Sequence, residues 1–256
     1  NKNLTINGKV TFGEATNQKE TITGNRTKDL GANQREIQVL NPSGKQTELQ
    51  GIISNGGLSK TGAGLLILSG ANTYASGTLI SAGTLQGTTT SLQGPITNNS
   101  ALVFSQTTAG TYAGVISGTG TLGIQGTGGA VTLTGASSNS GATTVTSGAL
   151  IQNGTNVVSA VSVAAGAFLY GTGSNGAVTV TGQASAGTAT NTVGNLKATA
   201  LNLENSGRMA VDITSMTGTA GTDWDLITLG SGGGTYTVNA VEGTDFVIAL
   251  KGSPSF

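Results

Sequence analysis

The sequence predicts an all-β chain wound as a single parallel β-solenoid of roughly 12 coils. Three observations carry that prediction. Apolar and polar residues alternate over short runs, as in Val131 and Leu133 of AVTLTG and Val161 and Val163 of VSVAAG, which is the period of a half-buried strand. Gly, Asn and Ser gather between the runs, where corners need positive φ angles. The runs also recur. GIIS at Gly51 returns as GVIS at Gly114, LSGA at Leu68 as LTGA at Leu133, and SAGTL at Ser81 as TSGAL at Thr146. The three offsets nearly agree, at roughly 65 residues each, which marks one long internal repeat.

A finer spacing lies inside the long one. Short apolar runs follow Gly64, Gly83 and Ser100, then Gly129, Gly148 and Gly166. Within each group the steps are roughly 17 to 19 residues, close to one turn of a solenoid. A sandwich or antiparallel barrel would place its strands about 8 to 12 residues apart without a longer fixed repeat. A parallel solenoid lays each strand on its equivalent in the next coil, so the chain repeats once per turn and stacks its inward aliphatics. No window of about 11 residues keeps helical spacing.

The elements follow in chain order. Leu4, Ile6, Val10 and Phe12 of LTINGKVTF alternate at the start, and residues 1–50 form charged N-terminal coils or a cap. Residues 51–152 are the repeat coils; within Ser59 to Gly87, Leu66, Leu68, Leu79 and Leu85 are candidates for the interior and the Ser and Thr hydroxyls for the exterior. Residues 153–256 are C-terminal coils and a second cap, within one β-helix over 1–256. Solenoid ends expose unpaired strand edges that template further pairing unless covered. Leu4, Ile6, Trp224 and Phe246 are the candidates for capping or end-to-end assembly.

Charge is scarce and unevenly placed. The 256 residues carry 11 basic and 11 acidic side chains, and none of them falls between Lys60 and Lys197. Average usage would put about 34 charges in that tract. Zero net charge removes the electrostatic case for nucleic acid, anionic lipid or an acidic polymer as an obligatory partner. With no Cys, a disulfide framework, a thiolate metal site and a cysteine nucleophile are excluded together. No apolar run approaches the length of a transmembrane helix, about 18 residues or more. Asn1 in place of an initiator Met predicts that a leader, a larger precursor or both have been removed.

The middle of the chain carries a resemblance. GIISNGGLSKTGAGLLILSGANTYASGTLISAGTLQ, from Gly51 to Gln86, resembles the passenger-associated repeat of bacterial autotransporters. NNSALVFSQTTAGTYAGVISGTGTL, from Asn98 to Leu122, is similar to the segment that precedes another copy, and LGANQREIQV, from Leu30 to Val39, to the lead-in of the first. After Val161 the likeness is looser, through VSVAAGAFLYGTGSNGAVTVTGQASAG and GTDWDLITLGS. The resemblance implies a right-handed β-helix, exported by type V secretion and displayed outside the cell for adhesion, aggregation or biofilm formation. The family's C-terminal translocator barrel has no counterpart after KGSPSF. The expectation is either that the barrel has been cut away or that the chain reaches the outside by another route.

Motifs with chemical potential are few. GTGTLG at Gly118 and GTGSNG at Gly171 match the dinucleotide-binding spacing, but no helix pattern follows either and no acid lies before Glu204, so they read as corners. Asp223 and Asp225 flank Trp224 in TDWDL. Strand alternation would put both carboxylates on one face about 7 Å apart, as a calcium site or a glycosidase pair, or simply as a solvated strand with Trp224 buried opposite. They are the metal candidates, and no catalytic or cofactor-binding residue is assigned. Polysaccharide-degrading enzymes do use β-helices, but their groove chemistry needs charged or His side chains midway along the coils, where this chain has none. Tyr74, Tyr112 and Tyr170 offer rings that could stack on sugars, but tyrosines scattered on a β-surface are more often packing or corner residues. Four N-x-S/T sequons at Asn3, Asn25, Asn98 and Asn153 fall to chance in so Asn- and Thr-rich a chain.

The leading expectation is therefore a non-enzymatic extracellular β-helix that needs no cofactor and associates with itself. Its outer face of Thr, Ser, Asn, Gln and Gly cannot repel a copy. The charged ends serve either as caps that keep it monomeric or as complementary surfaces for head-to-tail fibres. The alternative is an adhesin for carbohydrate or a host surface, and the third reading is a polysaccharide-degrading enzyme.

Overall fold

A computed structural model describes residues 4–13, 20–22, 26–41, 44–188, 192–204, 207–213, 219–230, 235–239 and 248–251. Phe246, one of the expected cap residues, lies outside the described residues. No helix occurs among the described residues, and parallel strands stack as a β-solenoid of about nine turns. The contacts divide the chain into two units, Asn1–Ser105 with Gly114–Gly123 and Gln106–Ala113 with Ile124–Phe256.

In the first unit one turn supplies three short strands. Lys28–Asp29, Gln34–Val39 and Gln46–Leu49 make one turn, and Ile53–Ser54, Gly57–Thr61 and Leu65–Leu68 lie on them in the next. Because a parallel register places equivalent residues on one face, columns form along the stack. Thr47, Leu66, Leu85 and Leu102 are in register and fully buried. Leu58, Thr78, Ile96 and Ile116 form a second inward column.

The second unit repeats the device with fewer strands per turn. Thr143, Val161, Val178 and Leu201 stack in one ladder and Val131, Leu150, Leu169, Ala184 and Met209 in another, all buried. Val131 and Leu133, and Val161 and Val163, point inward as their alternation predicts.

The turn count falls short of the expected one because turns are not uniform. Thr84 sits opposite Ala101 after a short turn, but Val10 pairs with Ile37 and Asn195 with Leu226, across far longer stretches of chain. The short middle turns set the sequence period, and longer corners elsewhere consume residues without adding coils. One inward assignment also changes. Leu66, Leu68 and Leu85 are buried, but Leu79 is only partly so, because the strand Thr78–Ile80 turns Thr78 and Ile80 inward. Thr78 bears that burial because its hydroxyl meets the Tyr74 hydroxyl at 3.0 Å.

Candidate functional site

Asp223, Trp224 and Asp225 belong to a tight corner rather than to a strand. The Thr222 and Asp223 N–H groups both donate to the Thr219 carbonyl, at 3.0 and 2.8 Å, and the Gly221 N–H donates to the Trp224 carbonyl at 2.6 Å. Trp224 forms single bridges with Ile213 and Ala220 and is half-buried, and the next strand begins at Leu226. The turn sends the two carboxylates apart. Asp223 accepts the Thr219 N–H at 2.6 Å, closing its own loop.

Asp225 points inward and is 8 % exposed. Its Oδ1 accepts the Gly194 N–H and its Oδ2 the Asp212 N–H, both at 2.9 Å, while its own N–H donates to the Asp212 carbonyl at 2.9 Å. One side chain thus ties the start of the strand Asn195–Glu204 to the end of the strand Arg208–Asp212. Burial pushes the Asp225 carboxyl up, and the nearby Asp212 charge pushes the same way, against the opposing hydrogen bonds from Asp212, Gly194 and Ser185. Asp212 itself is 3 % exposed, and neither of its carboxylate oxygens has a hydrogen-bond partner among the described residues. The acid that approaches Asp225 is therefore Asp212, thirteen positions back, and no local motif marks it. Among the described residues no three His, Cys, Asp or Glu side chains come together in a way that could hold a metal ion.

Two lysines in the first unit are buried. Lys60 has no exposed surface, and its ammonium donates to the carbonyls of Thr61, Gly62 and Ala82 at 2.9, 2.7 and 3.0 Å. Desolvation lowers its pKa to about 8. It occupies an inward column with Ile37, Ile80 and Asn98, so a cation stands where neighbouring turns place an aliphatic or an amide. Lys28 is likewise buried and donates to the Arg26 and Gln50 carbonyls. The alternation of Leu58 with Lys60 in GLSKT is the signal that places Lys60 inside.

The other expected residues separate by burial. Tyr74, Tyr112 and Tyr170 are 1, 4 and 8 % exposed, so their rings pack rather than present a stacking surface. Gly118 and Gly171 adopt φ of 101° and 133° at corners that lead into the strands Thr121–Gln125 and Ser174–Val180. Ile6 is buried and Leu4 is half exposed, in a strand paired through Leu4 and Lys28.

Outward positions in and next to the uncharged tract form polar columns. Thr144, Ser162, Thr179 and Asn202 lie in register on the outer face of the second unit, with Thr144 and Ser162 exposed. In the first unit Ser59, Leu79, Thr97 and Ser117 do the same, with Leu79 the one apolar member.

The family model described as passenger-associated-transport-repeat matches residues 58–86 and 125–151. No curated protein matches the chain, and no solved structure does. The two matched stretches have one geometry: Leu66 lies opposite Leu85 and Val131 opposite Leu150, the same distance along the chain in each, and all four are buried.

Proposed function

We propose, from two passenger-associated transport repeats carried on a parallel β-solenoid, that the chain is a non-enzymatic structural element, displayed outside the cell and associating with copies of itself. Repeats of this family mark exported, cell-surface or extracellular passengers, and many such passengers are structural or virulence-related. Export by type V secretion fits that context.

The observation that carries the self-association reading is the column Thr144, Ser162, Thr179 and Asn202. It is regular, hydrogen-bonding and uncharged, and all but Asn202 lie in the tract between Lys60 and Lys197 that holds no charge at all. Hydroxyls and amides on such a surface can pair with those of an identical surface, which offsets the water they give up, and no like charge opposes the contact. Single-sign charges or edge lysines, the usual devices against such contacts, are missing from it.

Light scattering across a concentration series, with electron microscopy of the same samples, tests the reading. Growth of assemblies that is suppressed when Thr144 and Ser162 are both replaced by Lys supports it. A strictly monodisperse monomer at high concentration overturns it.

A further inference from the structure

One column of the second unit departs from the polar pattern. Ala130, Ala149, Phe168, Gln183 and Arg208 are successive partners across five strands. Their neighbours Leu150, Leu169, Ala184 and Met209 fill the core, so Phe168, Gln183 and Arg208 stand on the outer face. The column thus changes along the stack from small aliphatic to aromatic, amide and guanidinium.

The three side chains line a groove of about 280 Å³, together with Gly166, Thr181 and Gly182. Its floor is kept low by backbone. A Cβ on Gly182 would stand 2.3 Å from the carbonyl oxygens of Ala164 and Ala167, and Gly166 opens onto free space with φ +78°. The Phe168 ring is braced: it stacks on Tyr170 at 5.8 Å with the planes 6° apart, and Tyr170 is itself buried. Arg208 is exposed, and among the described residues no hydrogen bond or ion pair engages its guanidinium. It is the only arginine after Arg35.

We infer that this groove binds an anionic saccharide, a pyranose carrying a carboxylate or a sulfate. The apolar face of a pyranose ring stacks on an aromatic platform, and a pre-ordered ring such as Phe168 loses little entropy on binding. An amide offers both a donor and an acceptor to ring hydroxyls. A guanidinium fork matches carboxylate or sulfate oxygens in a bidentate pair. Strands are about 4.8 Å apart, which sets Arg208 roughly 10 Å along the face from Phe168 with Gln183 between, a span suited to one or two sugar units. A neutral sugar leaves the guanidinium charge without a counter-charge, and an apolar ligand leaves the amide unpaired as well.

Saturation-transfer NMR and calorimetry on the intact chain test the site with trigalacturonate, a 6-sulfated galactose trisaccharide and neutral maltotriose. The expected result is binding of one or both anionic probes at least tenfold tighter than maltotriose. That binding weakens about tenfold or more in Arg208→Gln and in Phe168→Leu, and weakens with added salt. Binding of only one anionic probe identifies the anion and supports the site. Absence of binding by both, or binding of maltotriose as tight as theirs with Arg208→Gln unchanged, overturns it. Arg208 is exposed, so Arg208→Gln folds even if the Phe168 variant does not. The polar column of Thr144 and Ser162 excludes Arg208, so light scattering of Arg208→Gln should match the parent chain and keeps this test separate from that of self-association.

Discussion

The backbone N–H of Asp212 donates to Oδ2 of Asp225 at 2.9 Å, so two buried acids lie close enough in the second unit for the Asp212 charge to act on the Asp225 carboxyl. Only Asp225 is engaged by backbone donors; the Asp212 oxygens have no partner among the described residues. A buried like-charge pair of this kind costs stability. Asp212→Asn, which keeps the volume and removes one charge, should stabilise the chain by about 1 kcal/mol at neutral pH. Asp225→Ala, which strands the N–H groups of Gly194 and Asp212, should destabilise it by about 2 to 4 kcal/mol. Urea unfolding of the two variants checks the opposite signs.

The same pair predicts a pH dependence. Burial raises the Asp225 carboxyl in the folded chain, so folding tightens its proton. Its contribution is fully present below the ordinary carboxylate value and is lost as pH rises through the raised one. Stability attributable to Asp225 should therefore fall between those two values on going from acid toward neutral. Asp212→Asn should narrow that window, because one of the causes that raise the carboxyl is gone; an unchanged pH profile of unfolding would contradict this.

Lys60 gives the opposite slope in a different range. Its pKa is lowered to about 8 by desolvation, so above that pH the folded chain binds this proton less tightly than the unfolded one. Stability should rise from about pH 8 toward the ordinary lysine value, by at most about 3 kcal/mol, since the carbonyls of Thr61, Gly62 and Ala82 favour the charged form and offset part of the effect. Lys60→Met should abolish that rise. At neutral pH it should also cost about 1 to 3 kcal/mol, by leaving buried carbonyls without a donor. Chemical unfolding at a series of pH values reads both effects.

Asn72 links three turns of chain through one amide. Its oxygen accepts the Ile53 N–H at 2.7 Å and its nitrogen donates to the Ser91 carbonyl at 2.6 Å, with the side chain 5 % exposed. Asn72→Ala should cost about 2 to 3 kcal/mol. Asn72→Asp should cost more, because a carboxylate would face the Ser91 carbonyl. Midpoints of denaturant unfolding rank the two.

Glycine substitutions should separate close approach from open corners. A Cβ on Gly70 would lie 1.9 Å from the Gly51 carbonyl oxygen, whereas one on Gly8 would meet nothing within 4 Å. Gly70→Ala should therefore destabilise by about 3 kcal/mol, and Gly8→Ala should change stability by less than about 0.5 kcal/mol. Comparable thermal midpoints for the two variants would contradict the close approach of turns at Gly70.

Part of this was legible without coordinates. The burial of Leu85, Val131 and Val163 follows from period-two alternation bounded by glycine, whereas Leu66 and Leu68 stand in an unbroken apolar run whose inward members the register selects. Leu79 defeats the reading, because Thr and Leu are both acceptable inward residues and a hydroxyl partner on Tyr74 settles which turns in. Asp223 and Asp225 defeat it in another way. Alternation assumes an extended chain, and the hydrogen bonds to the Thr219 carbonyl coil this stretch instead.

The sequence by itself determined the architecture. Short alternating strands, glycine corners and the constant turn length of the two matched repeats are local properties, and stacking them in parallel is the economical way to bury one face. Tertiary structure alone decided which side chains meet. Phe168, Gln183 and Arg208 are unequally spaced along the chain, and Asp212 and Asp225 stand thirteen positions apart. Those spacings follow no fixed period, because corner lengths vary from turn to turn. Register, set by the hydrogen-bonded ladders, brings such residues onto one face, and no window along the chain encodes it.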